Sequence, residues 1–372
     1  MRTSGLTMLL ATGLLACGSD GDGDGDGDTG SSSSGSSAPT GSSSVGPSGG
    51  TTTEGTTSGV ETATDGPGST GITDSGTTQG ESETRSATGS STGGSSLPID
   101  CNDGELPIRV DGGGGYETVG EGVAAVPPGG TLWICPGDYT LDDTVQIERD
   151  VSIVGASSDL VNLVAAAKVD RVFQVLDASV TFEGFALIGG QFGINVTHTQ
   201  GGELDTTTMR DVQIRDCQQA GVYLSTTFSI EDGFGQAVFE DVVVENVASE
   251  EVQAIAGVAL LNVNATFLDT IIRDNVTRSG GLELLDAEVT FEGGQVIRNE
   301  AMFPNGGGAR IVSDLVSAQF TIVDSDWGEG AEEENLPNDV DCGSGASNDV
   351  GWLGSPANAV CATDIKDCCT PQ

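Results

Sequence analysis

From about residue 150 the chain alternates apolar and polar residues in short runs, and turns rich in Gly, Asn and Asp separate these runs. A leading apolar residue recurs with successive spacings of 29, 27, 30, 28, 24 and 29 residues. The leaders are Ile153, Phe182, Met209, Phe239, Phe267, Phe291 and Phe320. Alternation with a period of two predicts β-strands. Units made only of short strands do not close a core alone, so we expect them to stack into a parallel coil.

A second short strand follows most leaders, and in five units it begins at a Gly. These strands are Gly193–Val196, Gly221–Leu224, Gly257–Leu260, Gly281–Leu284 and Gly308–Ile311. The pattern predicts an all-β coil of about seven turns. Such a coil rises about 4.7–4.9 Å per turn and would be roughly 33 Å long.

Both ends of the coil have candidate caps. Tyr116, Val119, Val123 and Val126 recur at helical spacing, which predicts a short helix over the N-terminal opening. Residues 331–372 are acidic, irregular and rich in Cys, which indicates a C-terminal cap tied by disulfides. Caps are needed because open strand edges promote aggregation.

The stacked units, together with the entry segments GTLWICPGDYT (130–140) and VQIERDVSIVG (145–155), resemble the right-handed parallel β-helix of the pectin-lyase-like fold. The resemblance covers roughly residues 105–330. It implies a β-helix domain over residues 99–330. It implies no single activity, because this fold is shared by lyases, hydrolases, esterases, tailspikes and inert surface stalks.

The N-terminus indicates export. Residues 1–16 contain one Arg followed by an apolar stretch, as a secretory signal peptide does. Leu14 to Cys17 resemble a bacterial lipobox, which implies cleavage before Cys17 and lipidation of Cys17. We therefore expect a lipoprotein at the outer membrane or cell surface, with the lipid at Cys17 as its contact with the membrane.

Residues 17–98 consist mainly of Gly, Ser, Thr and Asp. This composition buries too little apolar surface to offset chain entropy and predicts a disordered tether. As a flexible coil, the tether has a root-mean-square span of roughly 50 Å.

The charge limits the partners. The chain has 13 Lys and Arg against 56 Asp and Glu, a net charge of −43. Nucleic acid is excluded because phosphate binding needs a basic surface. Polyuronates are disfavoured unless calcium bridges the charges. A neutral glycan, a cationic surface or another surface protein fits this charge.

The Cys residues fit an oxidising compartment, in which bridges are more common than metal sites. With Cys17 assigned to lipid, seven remain. Cys217 lies in a strand-turn and is the expected odd residue, buried as a small core side chain. We expect a Cys101–Cys135 disulfide. Further bridges would join Cys342, Cys361, Cys368 and Cys369, for which two connectivities stay open.

The catalytic motifs known from this fold are not found. No R-x-P-x-x-R element of pectate lyases occurs, and the G-x-Y-x-E element of pectin methylesterases is matched only by Gly137 and Tyr139. The single His, His198, is interpreted as a loop residue. We therefore assign no catalytic residue and no resident cofactor.

Two rows of residues suggest ligands. Asp211, Asp241 and Asp269 follow their leaders by two positions, where other turns have Gly184 and Gly293. Three Asp on adjacent turns could hold calcium, but exchange of Asp with Gly is also typical of a left-handed turn.

The other row is basic. It is formed by Arg215, Glu245, Arg273 and Arg298, which are followed by Asp216, Asn246, Asp274 and Asn299. The arginines either neutralise their acidic neighbours or form a stripe for an anionic ligand. The Asn and Asp that follow would form hydrogen bonds along the coil.

The leading hypothesis is a lipid-anchored bacterial surface protein whose β-helix is a non-catalytic stalk or a glycan-binding face. The alternative is a polysaccharide lyase or glycoside hydrolase. A third hypothesis is an adhesive partner for another surface protein, because a coil has long flat flanks.

Overall fold

The computed structural model describes residues 99–111, 114–199, 205–227, 234–248, 254–302, 306–312, 318–328, 332–336, 339–342 and 348–353. The expected signal peptide, the tether, the lipidation site Cys17 and three of the expected bridging residues, Cys361, Cys368 and Cys369, lie outside these ranges. In the described part, no helix has the length and apolar character needed to cross a membrane.

The described residues form one helix and 26 strands. The helix α1 is Val119–Ala125. The strands of the N-terminal half are β1 (Ile108–Val110), β2 (Gly115–Tyr116), β3 (Gly130–Ile134), β4 (Gly137–Leu141), β5 (Val145–Ile147), β6 (Val151–Gly155), β7 (Val161–Ala165), β8 (Arg171–Leu176), β9 (Val180–Ile188), β10 (Phe192–His198), β11 (Thr206–Arg215), β12 (Ala220–Thr226) and β13 (Gly235–Glu240). The strands of the C-terminal half are β14 (Val243–Glu245), β15 (Ala256–Leu261), β16 (Val263–Leu268), β17 (Ile271–Arg273), β18 (Val276–Thr277), β19 (Leu282–Leu285), β20 (Glu288–Glu292), β21 (Gln295–Ile297), β22 (Glu300–Ala301), β23 (Ala309–Val312), β24 (Ala318–Val323), β25 (Val340–Cys342) and β26 (Asn348–Leu353).

The architecture is a right-handed parallel β-helix of about seven turns, as the sequence predicted. Its sixteen-stranded sheet follows the order β2-β1-β3-β6-β9-β11-β13-β16-β20-β24-β26, with β4, β7, β14, β17 and β21 beside this path. The eight-stranded sheet has the order β25-β23-β19-β15-β12-β10-β8-β5, and β18 pairs with β22. Neighbours in these sheets come from successive turns, so each turn is hydrogen-bonded to the next.

The leading apolar residues form the core. Ile153, Phe182, Met209, Phe239, Phe267 and Phe291 lie opposite one another in register, and each is fully buried. The rings of Phe239 and Phe267 stack with centroids 4.3 Å apart. Aromatic stacking of this kind adds to the free energy gained from burial.

The last leader was predicted wrongly. Phe291 lies opposite Ile322, whereas Phe320 lies opposite Val289. Both positions face the core, because inward side chains recur every two residues along a strand. A shift of two residues therefore leaves the hydrophobic pattern unchanged.

The helix α1 covers the N-terminal opening, as predicted. Thr118 and Glu121 form a capping box, in which each side chain accepts a hydrogen bond from the other residue's backbone N–H. Val119 and Val123 are buried. Tyr116, which we placed in the helix, instead belongs to β2. The expected Cys101–Cys135 disulfide is present and ties the segment before β1 to the residue after β3.

The coil extends beyond residue 330, where the sequence indicated an irregular cap. β25 pairs in parallel with β23, and β26 pairs in parallel with β24. Cys342 is the last residue of β25. The segment 331–372 thus contributes strands to both large sheets.

A ladder of asparagines holds one bend of the coil. Asn275, Asn299 and Asn335 are almost fully buried. The Asn275 and Asn299 side-chain amides donate to the next asparagine's Oδ1, at 2.8 and 3.0 Å. We predicted hydrogen bonding at Asp216, Asn246, Asp274 and Asn299, and only Asn299 belongs to the ladder. The other three have positive φ and form the bend one residue earlier.

Candidate functional site

The aspartate row occupies a backbone bend. Asp211, Asp241 and Asp269 have φ values of 47°, 54° and 48°, and Gly184 and Gly293 have 70° and 68° at the same position. Positive φ is tolerated best by Gly and then by Asp and Asn. The interpretation of the row as a left-handed turn is confirmed.

The carboxylates of this row do not converge on one point. Asp211 accepts hydrogen bonds from Ser158 N at 3.2 Å and Ser158 Oγ at 2.6 Å. Burial raises the pKa of Asp241, and the charge of Asp269 raises it further. Among the described residues, no group of three or more His, Cys, Asp or Glu side chains is arranged to hold a metal ion. Calcium at Asp211, Asp241 and Asp269 stays a prediction.

The arginine row is shorter than predicted. Glu245 lies opposite both Arg215 and Arg273, but Arg273 lies opposite Ile297 rather than Arg298. The register follows the buried residues, and this leaves Arg298 one position further along, at the bend with a φ of 54°. The prediction that Arg298 continues the row is therefore wrong.

Each of these arginines lies beside a carboxylate. Arg273 Nη2 is 2.6 Å from Glu245 Oε2, and Arg298 Nε is 2.6 Å from Asp274 Oδ1. Arg215 Nη1 is 3.6 Å from Asp216 Oδ2. An anionic ligand would compete with these carboxylates, so the geometry favours mutual neutralisation.

The prediction that His198 is a loop residue is wrong. It ends β10, and its side chain is only 5% exposed. Its Nδ1 lies 3.3 Å from Asp205 Oδ2 without the alignment of a hydrogen bond. Burial lowers the pKa of His198, whereas the charges of Asp205 and Asp177 oppose this shift. A substrate outside the coil would not reach this ring.

The outward-facing residues along the middle of the eight-stranded sheet form the best candidate for a binding site. Cross-strand pairs place them opposite one another over eight strands. These residues, called the central row below, are Gln146, Gln174, Asn195, Tyr223, Ala259, Glu283, Arg310 and Asp341. The residues beside them in each strand, such as Val222 and Leu224, are buried in the core, so the central row lies on the outer side of the sheet. Asn195, Ala259 and Asp341 are nevertheless buried there, and the other members are partly or fully exposed.

Aromatic groups lie at the middle of this face. The rings of Tyr223 and Phe192 meet edge to face, with centroids 5.8 Å apart. The Arg171 guanidinium lies 5.7 Å from the centroid of the Phe192 ring, a cation–π contact. Burial raises the pKa of Tyr223, and the charge of Glu283 raises it further. The Tyr223 hydroxyl therefore stays protonated at neutral pH and can both donate and accept hydrogen bonds.

Charged groups follow at the C-terminal end of the central row. Arg310 Nη1 lies 3.0 Å from Glu283 Oε1, and both side chains are mostly buried. Asp341 lies opposite Arg310 on the other side. Burial raises the pKa of Asp341, against the opposing effect of Arg310. Asp341 is thus protonated more readily than a solvent-exposed aspartate.

This combination suits a ligand with both apolar and hydroxyl groups. An aromatic ring offers an apolar face, and a few placed amide, hydroxyl and charged groups fix the ligand's orientation. Sugar rings have this chemistry.

We did not predict the central row from the sequence. Each of the five second strands contains one member as its third residue, for example Tyr223 in Gly221–Leu224. In four of these strands the signal was a polar or aromatic residue between two apolar ones, and in the fifth the member is Ala259. It was missed because the residue type changes at every turn.

One groove lies apart from this face, at the N-terminal cap. It has a volume of about 500 Å³, and its lining includes Leu106, Tyr116, Glu117, Glu121 and Ala124. It is shallow and has no basic or His side chain in its lining.

No protein family model matches the chain, and no curated protein matches it. Similar solved structures include pectate lyase Pel9A, with 12% identity, a TM-score of 0.40, and coverage of 66% of this chain and 72% of that one. A pectin methylesterase variant in complex with a hexasaccharide has 13% identity, a TM-score of 0.35, and coverage of 68% and 91%. The ORF18 protein of Geobacillus virus E2 has 11% identity and a TM-score of 0.39 over 67% of this chain, which spans 55% of that protein. These likenesses concern the fold alone.

Proposed function

We propose that the protein is an exported lipoprotein whose β-helix is a non-catalytic glycan-binding module. The observation that carries the proposal is the central row, where the half-buried Tyr223 lies between Asn195 on one side and Glu283 beyond Ala259 on the other. Because the chain has a net charge of −43, we expect the glycan to be neutral rather than a polyanion.

The anchoring part of the proposal rests on the sequence. The apolar run that ends at Cys17 supports lipid attachment there, and the Gly- and Ser-rich residues 17–98 support a flexible spacer between an outer membrane and the coil. The test is membrane fractionation of the full chain beside Cys17→Ser. A variant that still sediments with membranes would contradict the lipid anchor.

The test of glycan binding uses the ring of Tyr223. On an array of neutral and charged oligosaccharides, followed by calorimetry, Tyr223→Ala should weaken binding at least tenfold. Tyr223→Phe should keep most of the affinity, because the ring supplies the stacking surface. Tyr116→Ala, which removes a tyrosine from the N-terminal cap, is the matched control and should bind normally. Equal binding by Tyr223→Ala and the native chain would disprove the site.

A polysaccharide-cleaving enzyme is the second candidate, and one observation favours it. Glu283 and Asp341 are two strands apart, a separation of roughly 9–10 Å from the strand spacing. That is close to the separation of the two carboxyl groups in inverting glycosidases, in which one carboxyl group has a raised pKa. Release of reducing sugar that Asp341→Asn abolishes would establish this alternative. The non-catalytic proposal predicts no release from either protein.

A further inference from the structure

A second outward-facing row, on the sixteen-stranded sheet, is chemically uniform. Cross-strand pairs place one residue from each turn opposite the next. The row, called the threonine row below, consists of Thr131, Ser152, Thr181, Thr208, Val238, Thr266, Thr290 and Thr321. All members but Val238 carry a hydroxyl group. At a strand spacing of about 4.7–4.9 Å, the row is roughly 33 Å long.

Strand propensity alone does not explain this uniformity. Thr is favoured on half-exposed strands because its branched side chain packs well on a pleated surface. The same preference applies to the central row, which faces outwards from the other large sheet of the same coil. That row contains no Thr. The eight-stranded sheet has isolated Thr residues, such as Thr197 in β10, but a preference that acts on both sheets does not produce a nearly continuous row of Thr on only one of them.

The hydroxyl groups of the threonine row are available to a ligand. Every member of the row is partly exposed. Within the described ranges, none of these hydroxyls is hydrogen-bonded to another protein group. Each of the six Thr also presents a methyl group, so six turns offer both a polar and an apolar contact, whereas Ser152 lacks the methyl group and Val238 lacks the hydroxyl.

The rows on either side restrict the charge of the ligand. On one side the strands carry mainly uncharged polar residues, among them Thr206, Gln236 and Asn264. On the other side, Glu183 lies opposite Arg210, which is ion-paired with Glu240 at 3.0 Å. Glutamates beside the row, in a chain with a net charge of −43, disfavour a polyanion.

We propose that the threonine row binds the flat face of an extended, neutral polysaccharide that lies along the coil axis. A polymer with a regular repeat can place one sugar against each successive turn. Individually weak contacts then reinforce one another, because each one holds the next sugar near its site. A short oligosaccharide would cover only a few turns, so few contacts would reinforce one another and its affinity would be low. The proposal concerns a different sheet from the central row and does not depend on binding there.

The test measures sedimentation of the full chain with insoluble cellulose, chitin or curdlan, using Cys17→Ser throughout to avoid lipid attachment. The triple variant Thr208→Val, Thr266→Val and Thr290→Val removes three hydroxyls and keeps the branched shape, which the native Val238 already has. We expect at least a tenfold loss of binding with an unchanged melting temperature. Unchanged binding by the triple variant would overturn the proposal.

Two further variants sharpen the test. Val238→Thr completes the row and should strengthen binding about twofold, as one added contact does in a multivalent array. Thr140→Val, which removes an exposed hydroxyl of β4 outside the row, should bind like the native chain. Loss of binding by Thr140→Val would show that the effect of the triple variant is not specific to the row.

The remaining outcomes separate this proposal from the glycan-binding proposal. Tyr223→Ala should sediment with the polymer as the native chain does. If Tyr223→Ala abolishes sedimentation and the triple variant does not, the polymer binds the central row and the threonine-row proposal is wrong, while glycan binding stands. Failure to bind any of the three polymers would also overturn the threonine-row proposal. Binding to ice crystals but to none of the polymers would overturn it too, and would show that the row binds ice rather than a polysaccharide.

Discussion

Arg298 binds Asp274 with two hydrogen bonds, Nε to Oδ1 at 2.6 Å and Nη2 to Oδ2 at 2.7 Å. Arg298 has a positive φ of 54°, an uncommon backbone conformation for a long side chain. The ion pair therefore lies where the backbone conformation would favour Asn or Gly. Replacing Arg298 with Asn would remove these two hydrogen bonds and would also relieve an unfavourable backbone conformation, so the change in stability is the difference between the two effects.

At neutral pH we expect Arg298→Asn to destabilise the protein, because both hydrogen bonds to Asp274 are lost. The loss should be only about 1 kcal/mol, because solvent screens a partly exposed ion pair. The pKa of Asp274 is lowered mainly by its hydrogen bonds from Arg298. A lowered carboxyl pKa stabilises the fold above the unfolded value of 3.8, and this contribution is lost as the pH falls through the folded pKa. Urea unfolding at pH 7 and pH 3 should show a smaller difference between the two proteins at pH 3. An equal difference at both pH values would contradict the ion-pair explanation.

Removal of Asn299, the middle residue of the asparagine ladder, should destabilise the protein much more than Arg298→Asn does. Asn299→Ala leaves the Asn275 backbone N–H without its acceptor Asn299 Oδ1 and the Ile272 carbonyl without the Asn299 side-chain donor. The Asn275 side-chain amide also loses its bond to Asn299 Oδ1 and keeps only the one to the Val244 carbonyl. Each buried unsatisfied group costs about 1–3 kcal/mol. We expect a loss of about 3 kcal/mol or more in urea unfolding. Asn246→Gly, at an exposed bend with a φ of 56°, is the control and should change stability little.

His198 should make stability depend on pH between neutral and mildly acidic conditions. Burial lowers its folded pKa below the ordinary histidine value of 6.5, so the unfolded chain binds the proton more readily. Stability is then highest above pH 6.5 and falls as the pH drops towards the folded pKa. The chain has one His, so His198→Gln should remove this part of the slope in thermal melts from pH 7.5 to 5. If the slope survives the substitution, it arises from other groups.

Replacing Asp241 with an uncharged residue should stabilise the fold. Its pKa is raised first by burial and then by the negative charges of Asp269, Glu240 and Asp211. Asp241→Asn removes this repulsion and keeps a residue that tolerates a φ of 54°. We expect a gain of a few tenths of a kcal/mol at pH 7, since the group is largely solvated.

The same variant tests calcium. If the aspartate row bound this ion, calcium would raise the melting temperature of the native chain and much less that of Asp241→Asn. If the two proteins respond equally to calcium, or if neither responds, the aspartate row does not bind calcium.

The sequence was most informative where side chains are buried. The leaders from Ile153 to Phe291 were placed correctly because large inward residues recur once per turn and have few substitutes. The error at Phe320 arose because the hydrophobic pattern has a period of two and does not distinguish two inward positions of one strand. The error at Arg298 arose because the Arg-Asn pair there was aligned by its residue types, whereas the register follows the buried Val296.

The binding surfaces were harder to predict for the opposite reason. Outward positions such as Asn195, Tyr223 and Glu283 have no common residue type, and only the cross-strand register brings them together. The threonine row has a common type, but its members are 21 to 31 residues apart in the chain. It becomes visible only when the turns are stacked.

Among the described strands, each turn of the coil pairs only with the turns directly before and after it. The length of any surface row is therefore set by the number of turns and not by the chemistry of one position. A duplication or deletion of one whole turn would lengthen or shorten both rows by one residue and leave the register of the others intact. Duplication or deletion of whole turns can therefore change the length of the binding surface in steps of about 5 Å without altering the residues of any other turn.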